Sequence, residues 1–509
     1  MDELHWMQRG SYLVNKIAEG DFGHATDIFE RHPGIPAAFL MGLTMNFLAT
    51  PNHYEIPNYI KPFDSSLEII DPLIAARIPI VLLGALTCAF LYFFVLKMWS
   101  PAVGITAGLL LALDPFHIAL SRIAHQDVAL TFFFMGALFC YYIGEIKNKT
   151  NYKMWAGIFF GLAFLTKIVA LLIPIIIFIW KTIIYFNKKD KFKLYFDVFD
   201  LIILLIGVSM FFVFYTEMWG NPVMRFIDHL SENFGSEASK DTHFFMGYVG
   251  QKAIRTFYLV IIPFKMSLLV FIGFIASLIF GIKYLWKNKK VSKRVLLLIL
   301  IILIVVGIMS LVGKMKDRYV MPAWPSLIII ASLGIMYILK YIFKYIPKPS
   351  NEVLILSASI LIILAFNLPP VISYSPYYFI YYNPIARLLV GGPNNLRNYV
   401  EMGWGEGMKE AAEYLNEKEN VKELGAISSC QSCFEPYFKG KFLRWKREAW
   451  FKKRMEDGDI DYAVLLIRVV QRHSPKTMYK IYKSTKPEKV ININGIDMVW
   501  IHNIKKNPP

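Results

Sequence analysis

The sequence predicts a polytopic α-helical membrane protein with about ten transmembrane helices and a C-terminal extracytoplasmic α/β domain. Of its 509 residues, 56% are hydrophobic and only 18% are charged, whereas a soluble globular chain carries about 25% charged residues. Long apolar runs recur through residues 72–368. Each is close to the roughly 20 residues that a helix needs to cross a bilayer core about 30 Å thick.

The net charge of +17 raises the question of nucleic-acid binding. The basic residues cluster at the ends of the apolar runs, where Lys and Arg set topology and meet anionic lipid. The charge therefore indicates a partner in the lipid bilayer and no nucleic-acid partner.

Ten spans are predicted from the apolar runs. They cover residues 72–97, 101–120, 128–144, 154–166, 168–186, 198–216, 257–282, 295–312, 319–340 and 351–368. The segment 33–48 is apolar but short and opens with prolines. It is compatible with an interfacial helix, a re-entrant helix or a packed extracytoplasmic element.

Four connections between spans carry most of the basic residues, sixteen against two acidic ones: 145–153, 187–196, 283–294 and 340–349. With ten spans they fall on one side, which the positive-inside rule makes cytoplasmic. This requires two crossings within 154–186, with a break near Thr166-Lys167. The chain is therefore predicted to be a multi-pass protein of the cell (plasma) membrane, with its active site and C-terminal domain on the extracytoplasmic side.

Three domains follow from this topology. Residues 1–71 form a first extracytoplasmic loop with an acidic motif, residues 72–368 the transmembrane domain, and residues 369–509 a small extracytoplasmic α/β domain. In the last, "EGMKEAAEYLNEKE" predicts a helix, while "LGAIS", "DYAVLLI" and "GIDMVWIH" predict strands. Cys430 and Cys433 form "CQSC", which indicates a local disulfide or two idle thiols.

The first candidate site is the acidic pair Asp2-Glu3, followed by "RHPGIP" with His32. A carboxylate on an outer loop can act as a general base or bind a divalent metal. The other interpretation is a solvated chain terminus.

The second candidate is the stretch 114–130 between two spans. It contains Asp114, His117, Arg122, His125 and Asp127. Ionisable residues at membrane depth usually serve a function, although a polar interfacial hairpin is the plain alternative. His125 and Asp127 are too few to define a metal site.

Two further segments carry cations on the predicted outer side. Lys167 in "GLAFLTK" either reaches the interface or lies opposite an anion. The loop "GKMKDRYVMPAWP" contains Lys314, Lys316 and Arg318 and violates the positive-inside bias. These cations are suited to the phosphate of a lipid carrier, which Arg binds in a bidentate manner.

The motifs together resemble the GT-C membrane glycosyltransferases. Among these, they look most like glycosyltransferase family 39, the protein O-mannosyltransferases, and the aminoarabinose transferases of lipid A. The resemblance rests on "DELHW", "HPGIP", residues 77–127, "GLAFLTK", "DRYVMPAWP" and "GWGEGMKEAAEYLN". It spans about residues 1–415.

The resemblance implies a glycosyltransferase that uses a polyprenyl- or dolichyl-phosphate monosaccharide and inverts the anomeric centre. Asp2 would be the catalytic base, assisted or positioned by Glu3. The substrate-binding residues would be His32, Arg122, His125, Asp127, Lys167, Lys314, Lys316, Arg318 and Tyr319. Some relatives bind a divalent metal ion and others do not, so no cofactor is assigned. The acceptor, whether protein, lipid or glycan, is left open.

In the family, the acidic pair follows a first transmembrane helix. Such a helix does not precede Asp2 here, so we expect one N-terminal helix to be missing; a true N-out protein is the alternative. Two other functions remain open. A transporter or flippase of lipid-linked sugars would place ionisable residues near the bilayer midplane, and a non-catalytic scaffold would use the outer domain for binding.

Overall fold

The structure, a computed structural model, describes residues 3–29, 32–48, 70–186, 197–234, 242–251, 254–288, 292–312, 315–345, 350–444 and 448–506. Two predicted site residues, Asp2 and Lys314, lie outside this part of the chain. Statements about absent features below refer to these ranges.

The membrane domain is helical. Its helices are α1 (Glu3–Ala18), α2 (Ile35–Leu48), α3 (Ile70–Met98), α4 (Pro101–Ala112), α5 (Pro115–Ser121), α6 (Asp127–Lys147), α7 (Thr150–Thr166), α8 (Leu172–Phe186), α9 (Val198–Phe214), α10 (Pro222–Phe234), α11 (Phe257–Lys265), α12 (Leu268–Asn288), α13 (Lys293–Leu311), α14 (Trp324–Ile342) and α15 (Ser350–Ser373). A small hairpin, β1 (His243–Phe245) with β2 (Tyr248–Gly250), lies between α10 and α11.

Helices occupy all ten predicted spans, but they differ in length and shape. Within the described ranges, six helices are long and apolar enough to cross a membrane, or up to eight if each of two bent pairs is one span. The chain is thus a multi-pass membrane protein. The remaining two predicted spans are α7 and α9, with 17 residues each.

Two spans predicted as continuous are bent. The pair α4 and α5 turns by 60°, and the pair α11 and α12 turns by 119°. At the first bend, the Asp114 carboxylate accepts the His117 backbone N–H at 2.9 Å, and Pro115 occupies the first helical position. Side-chain capping and Pro both favour a new helix start, so the polar residues that suggested a functional loop also shape the fold.

The predicted break at Thr166-Lys167 is confirmed. Helix α7 ends at Thr166, Lys167 is extended with φ −161°, and a 3₁₀ turn covers Ile168–Leu171 before α8. The break places Lys167 at the end of one helix and the beginning of the next.

The segment 33–48 forms α2, which packs against α1. A Cβ at Gly42 would lie 2.1 Å from the Gly10 carbonyl oxygen, and one at Gly10 would lie 2.5 Å from the Ala38 oxygen. Glycine is therefore required where the two backbones touch. The contact between α1 and α2 is compatible with each of the three alternatives for this segment.

The C-terminal part contains α16 (Pro384–Leu389), α17 (Met408–Asn416), α18 (Gln431–Phe434), α19 (Glu448–Glu456), α20 (Ile467–Arg472) and α21 (Lys476–Ser484), with strands β3 (Gly425–Ser428), β4 (Lys441–Phe442), β5 (Tyr462–Leu466), β6 (Lys489–Ile493) and β7 (Ile496–Asn503). The sheet order is β4-β3-β5-β7-β6. Strands β4, β3 and β5 are parallel, whereas β7 pairs antiparallel with β5 and β6.

The three predicted strands are β3, β5 and β7, and the predicted helix is α17. Its expected apolar face is buried at Ala411, Ala412 and Leu415. Cys430 and Cys433 form a disulfide. Of the two interpretations of "CQSC", a local disulfide or two idle thiols, the structure shows the disulfide.

Candidate active site

Three helix boundaries bring charged residues together at one end of the membrane domain. Asp127 begins α6, Lys167 follows α7, and Arg318 lies in the 3₁₀ turn Asp317–Ala323 that leads into α14. The sequence predicted each of them for one outer site, and the structure places them in contact.

Asp127 is the centre of this group. Its side chain is only 3% exposed. The Lys167 Nζ lies 3.0 Å from one carboxylate oxygen; His125 Nδ1 and Arg318 Nε lie 3.0 and 3.3 Å from the other. We call these four residues the Asp127 cluster. Among the described residues of this cluster, one carboxylate faces two permanent cations, Lys167 and Arg318.

Aromatic rings surround the cluster. The Lys167 ammonium lies 4.1 Å from the ring centroid of Tyr319, and the Arg318 guanidinium lies 4.5 Å from that of Trp404. The His125 ring is in edge contact with Trp6 and Trp404. Tyr319 therefore belongs to the site as predicted. Trp404 was missed as a site residue, although it lies in the "GWGEG" motif that carried part of the resemblance.

Glu3 lies beside the cluster and is held firmly. Arg77 donates to both of its carboxylate oxygens, Nε at 2.8 Å and Nη2 at 2.7 Å, and the Ala124 N–H donates at 2.8 Å. Burial alone would raise the pKa of Glu3, but the hydrogen bonds and charge of Arg77 and the Ala124 N–H lower it. Such a carboxylate is suited to positioning α1 against α3 and the loop before α6. Arg77 was not predicted as a site residue, because nothing in its apolar surroundings suggested a role.

A cavity of about 320 Å³ opens next to Glu3. We call it the surface cavity. The membrane domain and the C-terminal domain both line it, and its polar and aromatic lining includes Glu3, Arg77, Arg122, Tyr377, Tyr378, Trp404, Glu406, Lys409 and Tyr437. Aromatic faces beside charged groups are suited to an amphipathic ligand such as a sugar.

Arg122 lines this cavity, but the other predicted substrate-binding residues that the structure describes do not. The Arg122 Nη1 donates to the Pro376 carbonyl at 2.8 Å, and its guanidinium lies 5.2 Å from the Tyr378 ring centroid. The His32 carbonyl accepts from Arg9 at 3.3 Å.

Lys316 meets a different carboxylate from Arg318. Its Nζ lies 3.7 Å from Glu401, which Arg472 of the C-terminal domain also contacts at 2.5 Å. Burial would raise the pKa of Glu401, but Lys316, Arg472 and Arg468 lower it. Glu401 and the two arginines were missed, because the residues of the C-terminal domain show no motif around them.

Among the described residues, which do not include Asp2, no group of three His, Cys, Asp or Glu side chains is placed to hold a metal ion. His125 and Asp127 are in contact at 3.0 Å, and two such ligands do not define a metal site.

Comparison with known proteins agrees with the resemblance in the sequence. A family model described as dolichyl-phosphate-mannose-protein mannosyltransferase matches residues 66–214, which include Asp127 and Lys167. Over these residues the chain is similar to GT-C membrane glycosyltransferases. No curated protein matches the chain.

Two solved structures are similar to this chain along most of its length. ArnT from Cupriavidus metallidurans, bound to undecaprenyl phosphate, is 12% identical with a TM-score of 0.49, and the alignment covers 97% of this chain and 92% of that one. The oligosaccharyltransferase AglB from Archaeoglobus fulgidus, in complex with an inhibitory peptide and a dolichol-phosphate, is 12% identical with a TM-score of 0.47, covering 99% and 71%.

Proposed function

We propose that this chain is a glycosyltransferase that moves a monosaccharide from a polyprenyl-phosphate donor to an acceptor at the outer face of the cell membrane, with inversion. The observation that carries the proposal is the Asp127 cluster. It places two permanent cations, Lys167 and Arg318, side by side at the end of membrane helices, where they are suited to bind a phosphate.

Lys167 and Arg318 are the groups that would bind the donor phosphate. Their side chains are 14% and 15% exposed, so they are largely shielded from water, and their attraction for an anion is stronger than at an open surface. A lipid phosphate occupies the headgroup level where these helices end. Arg can bind it through two parallel hydrogen bonds, while Lys acts as a point charge.

The reaction would use the surface cavity. An acceptor group would lose its proton to the Asp2 carboxylate, and its heteroatom would form a bond to the anomeric carbon. The bond from that carbon to the phosphate oxygen would break, and polyprenyl phosphate would leave with the electron pair. Attack from the face opposite the phosphate inverts the centre. Lys167 and Arg318 would stabilise the charge that develops on the leaving phosphate.

Glu3 is proposed as a positioning residue next to Asp2, since all its observed contacts fix α1 in place. The orientation is supported by the basic connections 145–153, 187–196, 283–294 and 340–349, which favour the opposite face as cytoplasmic. The surface cavity and the C-terminal domain would then lie outside.

The test is donor consumption by the purified protein in detergent, with a panel of radiolabelled polyprenyl-phosphate sugars. We expect release of one sugar, and we expect Lys167→Gln to abolish it. Lys147→Gln, at the other end of α6, is the matched control because Lys147 is exposed and touches none of the site residues named above. Binding of the lipid without consumption of any donor would overturn the proposal in favour of transport or binding.

A further inference from the structure

The segment 403–407, "GWGEG", connects the two parts of the candidate site, and we call it the Trp404 segment. The Arg318 guanidinium lies 4.5 Å from the ring centroid of Trp404, and the His125 ring is in edge contact with it. Trp404 also lines the surface cavity, together with Gly405 and Glu406. A shift of Trp404 would therefore change both the surroundings of the Asp127 cluster and the wall of the surface cavity.

The Trp404 segment is anchored at both ends. The backbone N–H of Met402 donates to Gln471 Oε1 at 2.9 Å, and α17 begins directly after the segment, at the buried Met408. Between these anchors the backbone is irregular, and Gly405 has φ +125°, which residues with a side chain rarely adopt. The position of the middle of the segment therefore depends on what packs against it.

Cys433 of α18 packs against the middle of the segment. A Cβ added at Gly405 would lie 2.7 Å from the Cys433 Sγ, and the same Sγ lies 3.8 Å from the Trp404 carbonyl oxygen. The sulfur thus occupies the place that a side chain at position 405 would take. It contacts the backbone of the segment directly, so the position of Cys433 helps to set the position of the Trp404 ring.

The disulfide connects Cys433 to the sheet of the C-terminal domain. Its partner, Cys430, is fully buried just after β3, and the Cys430 N–H donates to Ser428 Oγ at 3.1 Å. A Cys433 side chain without this bond could turn to another rotamer, away from Gly405. The bonded side chain cannot, so the disulfide holds the sulfur against the Trp404 segment.

We infer that the Cys430–Cys433 disulfide positions Trp404 for glycosyl transfer, so that the enzyme works in its oxidised form and loses activity when a dithiol reduces it. This inference rests on the proposed function, which places the C-terminal domain outside the cell membrane. Disulfides persist in such an oxidising environment. The two cysteines would thus act as positioning residues whose effect depends on the redox state outside the cell.

Reduction would proceed by thiol–disulfide exchange. A thiolate of the dithiol attacks the Cys433 Sγ, the S–S bond breaks, and the electron pair and then a proton go to the Cys430 Sγ. The second thiolate of the reagent then displaces Cys433, so the protein gains two thiols and the reagent becomes a disulfide. Cys433 is the accessible sulfur, since it lines the surface cavity whereas Cys430 is buried.

Dithiothreitol tests this inference on the wild-type protein. Once two new thiols per chain are counted, donor consumption should be about tenfold slower, because a small displacement of aligned groups is costly to the rate. Removal of the reagent and reoxidation should restore it. Cys430→Ala with Cys433→Ala should have the slower rate from the start and should not respond. Cys88→Ala with Cys140→Ala is the matched control, since both are free thiols, and it should respond as the wild type does.

Trp404→Ala shows whether the disulfide acts through Trp404. Dithiothreitol should change the rate of this variant by about twofold or less, since two changes that act through one contact are not additive. Acrylamide quenching of tryptophan fluorescence gives a readout without turnover: reduction should expose one more tryptophan in the wild type and none in Trp404→Ala.

Two results would overturn the inference: an unchanged rate in the fully reduced wild type, or an equal loss of rate in Trp404→Ala. If the oxidised wild type consumes no donor, the proposed function fails. The quenching experiment then still decides whether the disulfide holds Trp404 in place.

Discussion

Helix α6 carries a charged cluster at each end, and the two clusters differ in how their charges are balanced. The Asp127 cluster lies at the first residue of the helix. At the other end, near Glu145 and about 30 Å away by the length of the 21-residue helix, lies a second group, which we call the Asp200 cluster: Tyr141, Glu145, Lys153, Lys181, Asp197 and Asp200. Asp127, Lys181 and Asp200 are nearly inaccessible to water, with 3%, 3% and 2% of their side chains exposed.

The Asp200 cluster satisfies its own charges. Lys153 contacts Glu145 at 2.8 Å and Asp197 at 2.7 Å, and Lys181 pairs with Asp200. Carboxylates outnumber lysines here, and hydroxyl donors fill the remaining acceptor positions: Tyr141 donates to Asp200 and Tyr185 donates to Glu145 at 2.7 Å. Each of these carboxylates has a donor.

In the Asp127 cluster, the described residues place two permanent cations against one carboxylate, and the side chains of Lys167 and Arg318 are 14% and 15% exposed. Lys181 and Asp200 are only 3% and 2% exposed. The closed pairs of the Asp200 cluster join helices, whereas the more accessible cations of the Asp127 cluster are the ones that we propose to bind an anion.

Apart from Lys167→Gln, which should abolish donor consumption, the largest effect is expected at Arg318. Arg318→Gln should lower kcat/KM for the donor by about 10²- to 10³-fold, as loss of one donor to a developing oxyanion does. Arg318→Lys keeps the charge but loses the planar fork and should recover only part of the activity. Equal activity of the wild type and both variants in a donor-consumption assay would remove Arg318 from the site.

At the other end of α6, stability and not activity should change. Lys181→Met leaves Asp200 buried without its cation and should cost about 3 to 5 kcal/mol in unfolding free energy. Turnover per folded molecule should stay as in the wild type. Thermal denaturation in detergent measures the loss, and the double variant Lys181→Met with Asp200→Asn should recover part of it because no unpaired carboxylate remains.

The sequence predicted the regions that depend on local pattern. Helix positions, the break at Thr166-Lys167 and the strands of the C-terminal domain were predicted from the spacing of apolar residues and from the polar residues between apolar runs. The structure agrees with these predictions. The 119° bend between α11 and α12 was not predicted, because an apolar run does not reveal where a helix turns.

The sequence predicted some residues of the candidate site and missed others. Asp127, Lys167 and Arg318 were grouped on one outer face, because topology alone places helix ends together. The pairs Arg77–Glu3 and Arg472–Glu401 were not predicted, since each joins residues more than 70 positions apart. Such contacts depend on tertiary packing, which periodicity does not describe.

A smaller effect is expected from Asp127→Asn. The substitution removes the carboxylate that would compete with a bound phosphate for Lys167 and Arg318, so the net charge of the cluster becomes more positive. Undecaprenyl phosphate, the proposed product, should bind about tenfold more tightly, which corresponds to about 1.4 kcal/mol. Equilibrium binding to the purified variant tests this. Weaker binding in a folded variant would mean that Asp127 orients Lys167 and Arg318 for the anion and does not compete with it.

The smallest effect concerns the pH dependence of Glu3, which lies outside the membrane spans. Its pKa is below the ordinary value of 4.5, so its contribution to stability is complete above that value and is lost as the pH falls through the lowered pKa. Glu3→Gln places an amide donor against Arg77 and removes this contribution. The difference in Tm between the wild type and the variant should be constant from pH 5 to 8 and shrink below pH 4.5.

The rate profiles of the two proteins should keep the same shape above pH 5, because Glu3 holds α1 in place and does not exchange the proton. Loss of an ionisation from the rate profile on Glu3→Gln would instead make Glu3 part of the proton transfer.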